Sequence, residues 1–125
     1  MTGTYLVTGA SKGLGRSIAI SIVDSGNSVI ALARPSDELE ILGSEITAIS
    51  SDSFILPCDL GSANYIAVAI SKISSKCKHI SGIVHNAGTI SPIDNMLDVS
   101  RESWERAVSV NLIGVQDLTQ SLDSL

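Results

Sequence analysis

Residues 8–15 read Thr-Gly-Ala-Ser-Lys-Gly-Leu-Gly, and this octet constrains the fold more than any other segment. It follows the short apolar run Tyr5-Leu6-Val7. After it, apolar residues fall at helical spacing: Leu14, Ile18 and Ile22, with Ala19 and Val23 beside them. A strand therefore enters a glycine loop that opens directly into a helix. Gly9 permits the tight turn, Gly13 leaves room for a pyrophosphate against the backbone, and Gly15 lets the helix pack near the strand. The helix N-terminus adds unpaired N–H groups and a partial positive charge. Ser11, Lys12 and Leu14 complete this candidate phosphate loop. It is not a Walker A loop, because Gly15 is followed by Arg16-Ser17 and not by a Lys-Ser/Thr pair.

The same alternation continues. Val29-Ile30-Ala31-Leu32-Ala33 is an unbroken apolar run, as expected of a strand covered on both faces, and Pro35 ends it. Ser36 caps a second helix whose first turn holds Asp37 and Glu38 and whose buried stripe is Leu39, Leu42 and Ile46. Phe54-Ile55-Leu56 is a third strand closed by Pro57. Ser62 caps a third helix with Ile66, Ile70 and Ile73 on one face, and Lys72, Lys76 and Lys78 lie toward its negative end. Ile83-Val84 centres a fourth strand, and a last helix runs from about Arg101 to the chain end through Trp104, Val108 and Leu112. The pattern βαβαβαβα predicts an α/β fold: a three-layer, Rossmann-like, doubly wound parallel sheet with strand order 3-2-1-4.

Composition narrows the function. With 125 residues the chain is expected to form one domain, 1–125. Eight Lys+Arg against 13 Asp+Glu give a net charge of −5, and aromatics are 3%, which argues against nucleic-acid binding by a basic face or a stacking platform. The longest apolar stretch, Tyr65 to Ile70, is far too short to cross a membrane, and the N-terminus lacks the pattern of a signal peptide. Cys58 and Cys77 lack metal spacing and cannot build a disulfide framework, which suits a reduced, cytoplasmic compartment. No metal site is expected.

The TGxxxGxG spacing near the N-terminus resembles the short-chain dehydrogenase/reductase family. Cys58-Asp59-Leu60 resembles the family's acidic segment after the third strand, which holds the adenine. Asn86-Ala87-Gly88 resembles its Asn-Ala-Gly motif after the fourth strand, and Val110-Asn111-Leu112 its helical asparagine segment. The resemblance covers essentially the whole chain. It implies a nicotinamide dinucleotide held by Gly9, Ser11, Lys12, Gly13, Leu14, Gly15, Arg34, Asp59, Leu60, Asn86, Ala87 and Gly88, with Asn111 in a supporting catalytic place. Such an asparagine bends its helix and supports a water path to the catalytic lysine.

Strand two ends Leu32-Ala33-Arg34-Pro35, without the acidic residue that would accept hydrogen bonds from the ribose of NAD. Ala33 stands where NAD-preferring relatives carry Asp. Arg34 and Lys12 place two cations near one ribose, which suits a 2′-phosphate and a preference for NADP(H), with NAD(H) as the lesser possibility. The expected substrate is a small carbonyl or alcohol. Ser36-Asp37-Glu38-Leu39 and Thr89-Ile90-Ser91-Pro92 further resemble reductases of diketones or pterins.

The family's acid is a tyrosine with a lysine four residues on, plus a serine. Neither Tyr5 nor Tyr65 fits, since Gly9 and Ala69 stand four residues later. Only Asn111 of the family's Asn-Ser-Tyr-Lys set is present. The expectation is therefore a C-terminally incomplete portion of a family member: the cofactor half of an NADP(H)-dependent reductase, inactive alone, with an apolar edge at strand four that favours self-association and a homo-oligomer. The alternative is a non-catalytic NADP-binding or interaction module. His79, His85, Trp104, Cys58 and Cys77 are expected to be structural or surface residues.

Overall fold

A computed structural model describes residues 2–90 and 93–125. Ser91 and Pro92, part of the segment with the diketone or pterin resemblance, lie outside the described residues. The elements follow in the order β1 (Thr4–Thr8), α1 (Gly13–Asp24), β2 (Ser28–Ala33), α2 (Asp37–Ile49), β3 (Phe54–Pro57), α3 (Ala63–Lys76), β4 (Gly82–Val84), α4 (Arg101–Val108), a π-helical turn (Ser109–Ile113) and α5 (Gly114–Leu122). The four strands form one parallel sheet in the order β3-β2-β1-β4, as the sequence pattern predicts. Pro57, which has no N–H to give, sits at the end of edge strand β3 opposite Ala33.

Alternation along the central strands divides the core in two. Val7, Val29 and Ala31 face Ala19 and Val23 of α1 and Leu39, Leu42 and Ile46 of α2. Leu6, Ile30, Leu32 and Leu56 face Ile66, Ala69 and Ile73 of α3 and Leu118 and Leu122 of α5. Helices on both faces explain why β2 is apolar at every position from Val29 to Ala33. Arg16 and Glu45 pair at 2.6 Å across α1 and α2. Ser36 and Ser62 cap α2 and α3 as expected, accepting from the N–H groups of Leu39 and Tyr65.

Two helical expectations are corrected. The buried side of α1 is Gly15, Ala19 and Val23, whereas Leu14 is 69% exposed. The small residues lie inward because this helix approaches the sheet closely. The last helical region is also not one regular α-helix. The π-turn carries an extra residue per turn and shifts the faces after it. Val110, Gly114, Leu118 and Leu122 are buried, while Trp104 (47% exposed), Val108 and Leu112 (67%) face outward.

Two polar ties join the carboxyl ends of the strands to distant segments. The Thr8 hydroxyl, buried at the end of β1, accepts from the backbone N–H groups of Asn86 (3.1 Å) and Ala87 (3.0 Å) beyond β4. Asp59, just after β3, accepts from Gly61 N–H through Oδ1 (2.9 Å) and from Arg106 of α4 through Oδ2 (2.8 Å).

Each tie has a stability consequence. Thr8→Val keeps the shape but leaves the Ala87 N–H without an acceptor and the Asn86 N–H with the Val84 carbonyl alone, so it should cost about 1–3 kcal/mol. Denaturant titration checks this, and a midpoint equal to wild type contradicts it. The Arg106 hydrogen bond holds the Asp59 carboxyl below its ordinary range, opposed by burial and aided by the Gly61 N–H and the charges of Arg106 and Arg34. A lowered folded-state pKa stabilises the fold above the unfolded value of about 3.9 and loses that contribution as pH falls through the folded value. Asp59→Asn should therefore be less stable than wild type at neutral pH, and the gap should close on acidification below about pH 4. A gap independent of pH counts against the pairing.

Candidate functional site

A cleft of about 730 Å³ opens at the carboxyl ends of the strands. It spans the point where the strand order reverses between β1 and β4, where open α/β sheets bind their ligands. Its wall includes Gly9, Ser11 and Lys12 of the first loop, and Ala33, Arg34, Ser36 and Glu38 around the end of β2. Asp59, Leu60 and Tyr65 follow from β3 and α3, and Asn86, Ala87, Gly88 and Thr89 from beyond β4.

The first loop is built by glycine. Gly9 (φ +62°) and Gly13 (φ +59°) take left-handed backbone that side chains disfavour. A Cβ on Gly9 would also stand 2.9 Å from Ala87 Cα and from Asn86 Nδ2, whereas one on Gly13 would meet open space. Gly15 works by closeness, since its Cβ position collides with the Gly9 carbonyl and the Asn86 amide. That amide donates to the carbonyls of Thr8 (3.2 Å) and Gly9 (3.1 Å), so Asn86 shapes the loop. The start of α1 has no side-chain cap and no acidic residue in its first turn. By contrast, serine hydroxyls cap α2, α3 and α4.

Most of the expected residues converge. Gly9, Ser11, Lys12, Arg34, Asp59, Leu60, Asn86, Ala87 and Gly88 share the cleft wall, while Gly13, Leu14 and Gly15 stand behind or beside it. The side chains of Lys12 and Arg34 make no hydrogen bond or ion pair among the described residues. Asn111 is not on the wall. From the π-turn its side chain grips Thr89, accepting from the N–H and donating to the carbonyl, both at 2.8 Å, and so holds a wall residue in place. Burial and the neighbouring Asp59 push the Cys58 thiol up to about 11, and burial also raises Cys77, so both thiols are poor nucleophiles at neutral pH. His85 meets Thr119 Oγ1 at 3.0 Å, a link between β4 and α5.

Sequence reasoning missed three contributors. Thr8 was legible only as the first letter of the glycine motif; its anchoring hydroxyl depends on β4 lying alongside. Arg106 pairs with Asp59 across 47 positions, beyond any local pattern. Gly114 lets the end of the π-turn pack against the Leu60 carbonyl, and only the fold brings them together. No described cluster of three or more His, Cys, Asp or Glu could hold a metal ion, and no described helix is long and apolar enough to cross a membrane.

Comparison with known proteins agrees with this geometry. The short chain dehydrogenase family model matches residues 4–124. An NADPH-dependent pterin aldehyde reductase of Arabidopsis thaliana is 34% identical over 115 residues, 92% of this chain and 47% of that protein. The 3-oxoacyl-(acyl-carrier-protein) reductase FabG of Staphylococcus aureus is 33% identical over 122 residues, 96% of this chain and 49% of the relative. A Shigella flexneri short chain dehydrogenase solved in complex with NADP superposes with a TM-score of 0.85 at 27% identity, covering 96% of this chain and 52% of the other. The chain spans about half the length of the curated relatives it matches. The glycine loop, the sheet order and the Asn86 and Asn111 ties thus occur in a chain that belongs to the short chain dehydrogenase family.

Proposed function

We propose that this chain forms the NADP(H)-binding part of an oxidoreductase that reduces a small carbonyl or oxidises the corresponding alcohol. The observation that carries the reading is the charge at the end of β2. Three cations, Lys12, Arg34 and Arg106, and two carboxylates, Glu38 and Asp59, line the cleft. Arg106 and Asp59 neutralise each other, which leaves Lys12 and Arg34 against Glu38 alone. The local excess is one positive charge (two minus one) in a chain of net charge −5. Ala33, at the end of β2, offers no carboxylate to a ribose diol. Such a wall favours a 2′-phosphate, to which a guanidinium can donate two parallel hydrogen bonds. The NADPH-dependent relative and the NADP-bound neighbour support the same choice; NAD(H) remains the weaker ligand.

The dinucleotide supplies a hydride at its nicotinamide ring when bound. The residues of this chain bind and orient it. The Gly9–Gly15 loop and the start of α1 receive the pyrophosphate, Lys12 and Arg34 the 2′-phosphate, and Asp59 and Leu60 the adenine. Asn86, Ala87 and Gly88 support the nicotinamide side, with Asn111 fixing Thr89 behind them. The 125 residues hold no tyrosine with a lysine four positions on, so binding without turnover is the second reading. The outward face of Trp104, Val108, Leu112 and Ile113 suits pairing with a second copy. A cytoplasmic location belongs to the same reading and rests on the cysteine usage.

Hydrogen bonds to charged groups contribute about 1.5–3 kcal/mol, so Arg34→Asp should weaken NADPH binding at least about tenfold while sparing NADH. Equal loss for both cofactors rejects the 2′-phosphate site. Gly13→Val forces a branched residue into left-handed backbone, at a cost of about 1–2 kcal/mol or more, where the surrounding space is open. Loss of both dinucleotides from a folded variant is expected; an unchanged titration would place the phosphates elsewhere. The 125-residue chain mixed with NADPH and a carbonyl should show no substrate-dependent NADPH oxidation. Turnover would show that an acid other than the family's tyrosine operates.

A further inference from the structure

We propose that Arg106 is a positioning residue for base recognition: by pairing with Asp59 Oδ2 it fixes the carboxylate plane in which Asp59 receives the adenine amino group. The proposal rests on the cofactor reading above. If Arg34 takes the 2′-phosphate, the base on that ribose falls toward the neighbouring end of β3, where Asp59, Leu60 and Tyr65 line the cleft. Asp59 is the carboxylate there, and the charge of Arg34 is felt at it.

A free aspartate rotates, and a rotating carboxylate reads a base poorly. Here each oxygen is held from a different direction: Oδ1 by the Gly61 N–H at 2.9 Å and Oδ2 by Arg106 Nη1 at 2.8 Å. An ionised carboxylate has about four lone-pair sites, so two bonds fix its plane and leave acceptor capacity for a ligand N–H. The Asp59 and Arg106 side chains are 27% and 40% exposed, and both residues line the cleft, so the pair is open to a bound base. A second observation concerns Gly61. A Cβ at this position would overlap the Arg106 guanidinium, with Val110 Cγ2 only 3.2 Å away. The turn after β3 thus has a glycine where Arg106 lies against it. Arg106 comes from α4, whose π-turn also carries Asn111, so one helix supports Asp59 at one end of the cleft and Thr89 at the other.

The test is equilibrium binding of NADPH and of its analogue with hypoxanthine in place of adenine. The analogue presents a carbonyl oxygen where adenine presents an amino group. The wild-type protein should prefer the adenine form by about tenfold or more, as expected for a charge-assisted hydrogen bond. Arg106→Ala should bring the two affinities within about threefold; both ligands carry the same 2′-phosphate, so the charge left on the unpaired Asp59 affects them alike and cancels in their ratio. Gly61→Ala should mimic it by displacing the guanidinium, and should add nothing in the Arg106→Ala background. A merely structural brace would weaken both bases equally and keep their ratio; that result overturns the proposal. Wild-type protein that binds both bases equally also overturns it, yet leaves the phosphate site standing. Wild-type protein that binds neither rejects the cofactor reading itself.

Discussion

Where α1 begins, a Cβ on Gly15 would collide with the carbonyl of Gly9, so no side chain fits there. This contact sets where α1 begins relative to β1. It brings the uncapped first turn of the helix to the carboxyl end of the sheet, beside the left-handed Gly9 and Gly13. Asn86 completes the junction by donating to the Thr8 and Gly9 carbonyls, and the Thr8 hydroxyl returns the link to the Asn86 and Ala87 N–H groups. Strands β1 and β4 and the glycine loop are therefore joined by hydrogen bonds, and the start of α1 packs against them at Gly15. The cleft exists because this unit holds its floor in place. The buried Thr8 hydroxyl and the half-buried Asn86 amide are satisfied by these bonds, so polar groups are accommodated at the sheet's end without an unpaired cost.

Much of this was legible because the signals are local. The glycine spacing, the serine caps at Ser36 and Ser62, and the stripe Leu39, Leu42 and Ile46 each depend on a few neighbouring residues. The uniformly apolar β2 announced a sheet covered on both sides, and the parallel order followed from the alternation of strands and helices. Helical periodicity was less faithful at the two places where packing is unusual. In α1 the need for close approach turned the small residues inward and left Leu14 outside. In the last helical region the π-turn changed the phase, so a single 3.6-residue register could not describe both α4 and α5.

The site was legible as a set of motifs and illegible as a set of contacts. Asp59 was recognisable after β3, but its partner Arg106 lies 47 positions away on α4. Asn111 was recognisable in its helix, but its grip on both backbone groups of Thr89 depends on the loop after β4. Long-range polar pairs leave no periodic trace, since one arginine on a helix looks like any other. Their consequences are nevertheless written in the sequence as small residues. Gly61 and Gly114 sit where Arg106 and the Leu60 carbonyl leave no room, and each marks a contact that the motif alone did not reveal.

In the proposed reading, the balance of charge in the cleft selects the cofactor. Asp59 and Arg106 pair with each other, and Lys12 and Arg34 line the cleft with Glu38 as the remaining carboxylate among the described residues of its wall. The most direct measurement is a crystal structure of the protein grown with NADP+. The account predicts the 2′-phosphate within hydrogen-bond distance of the Arg34 guanidinium, with Lys12 Nζ beside it and the pyrophosphate over the first turn of α1. A 2′-phosphate directed to solvent away from Arg34 and Lys12, or held by other residues, would contradict it.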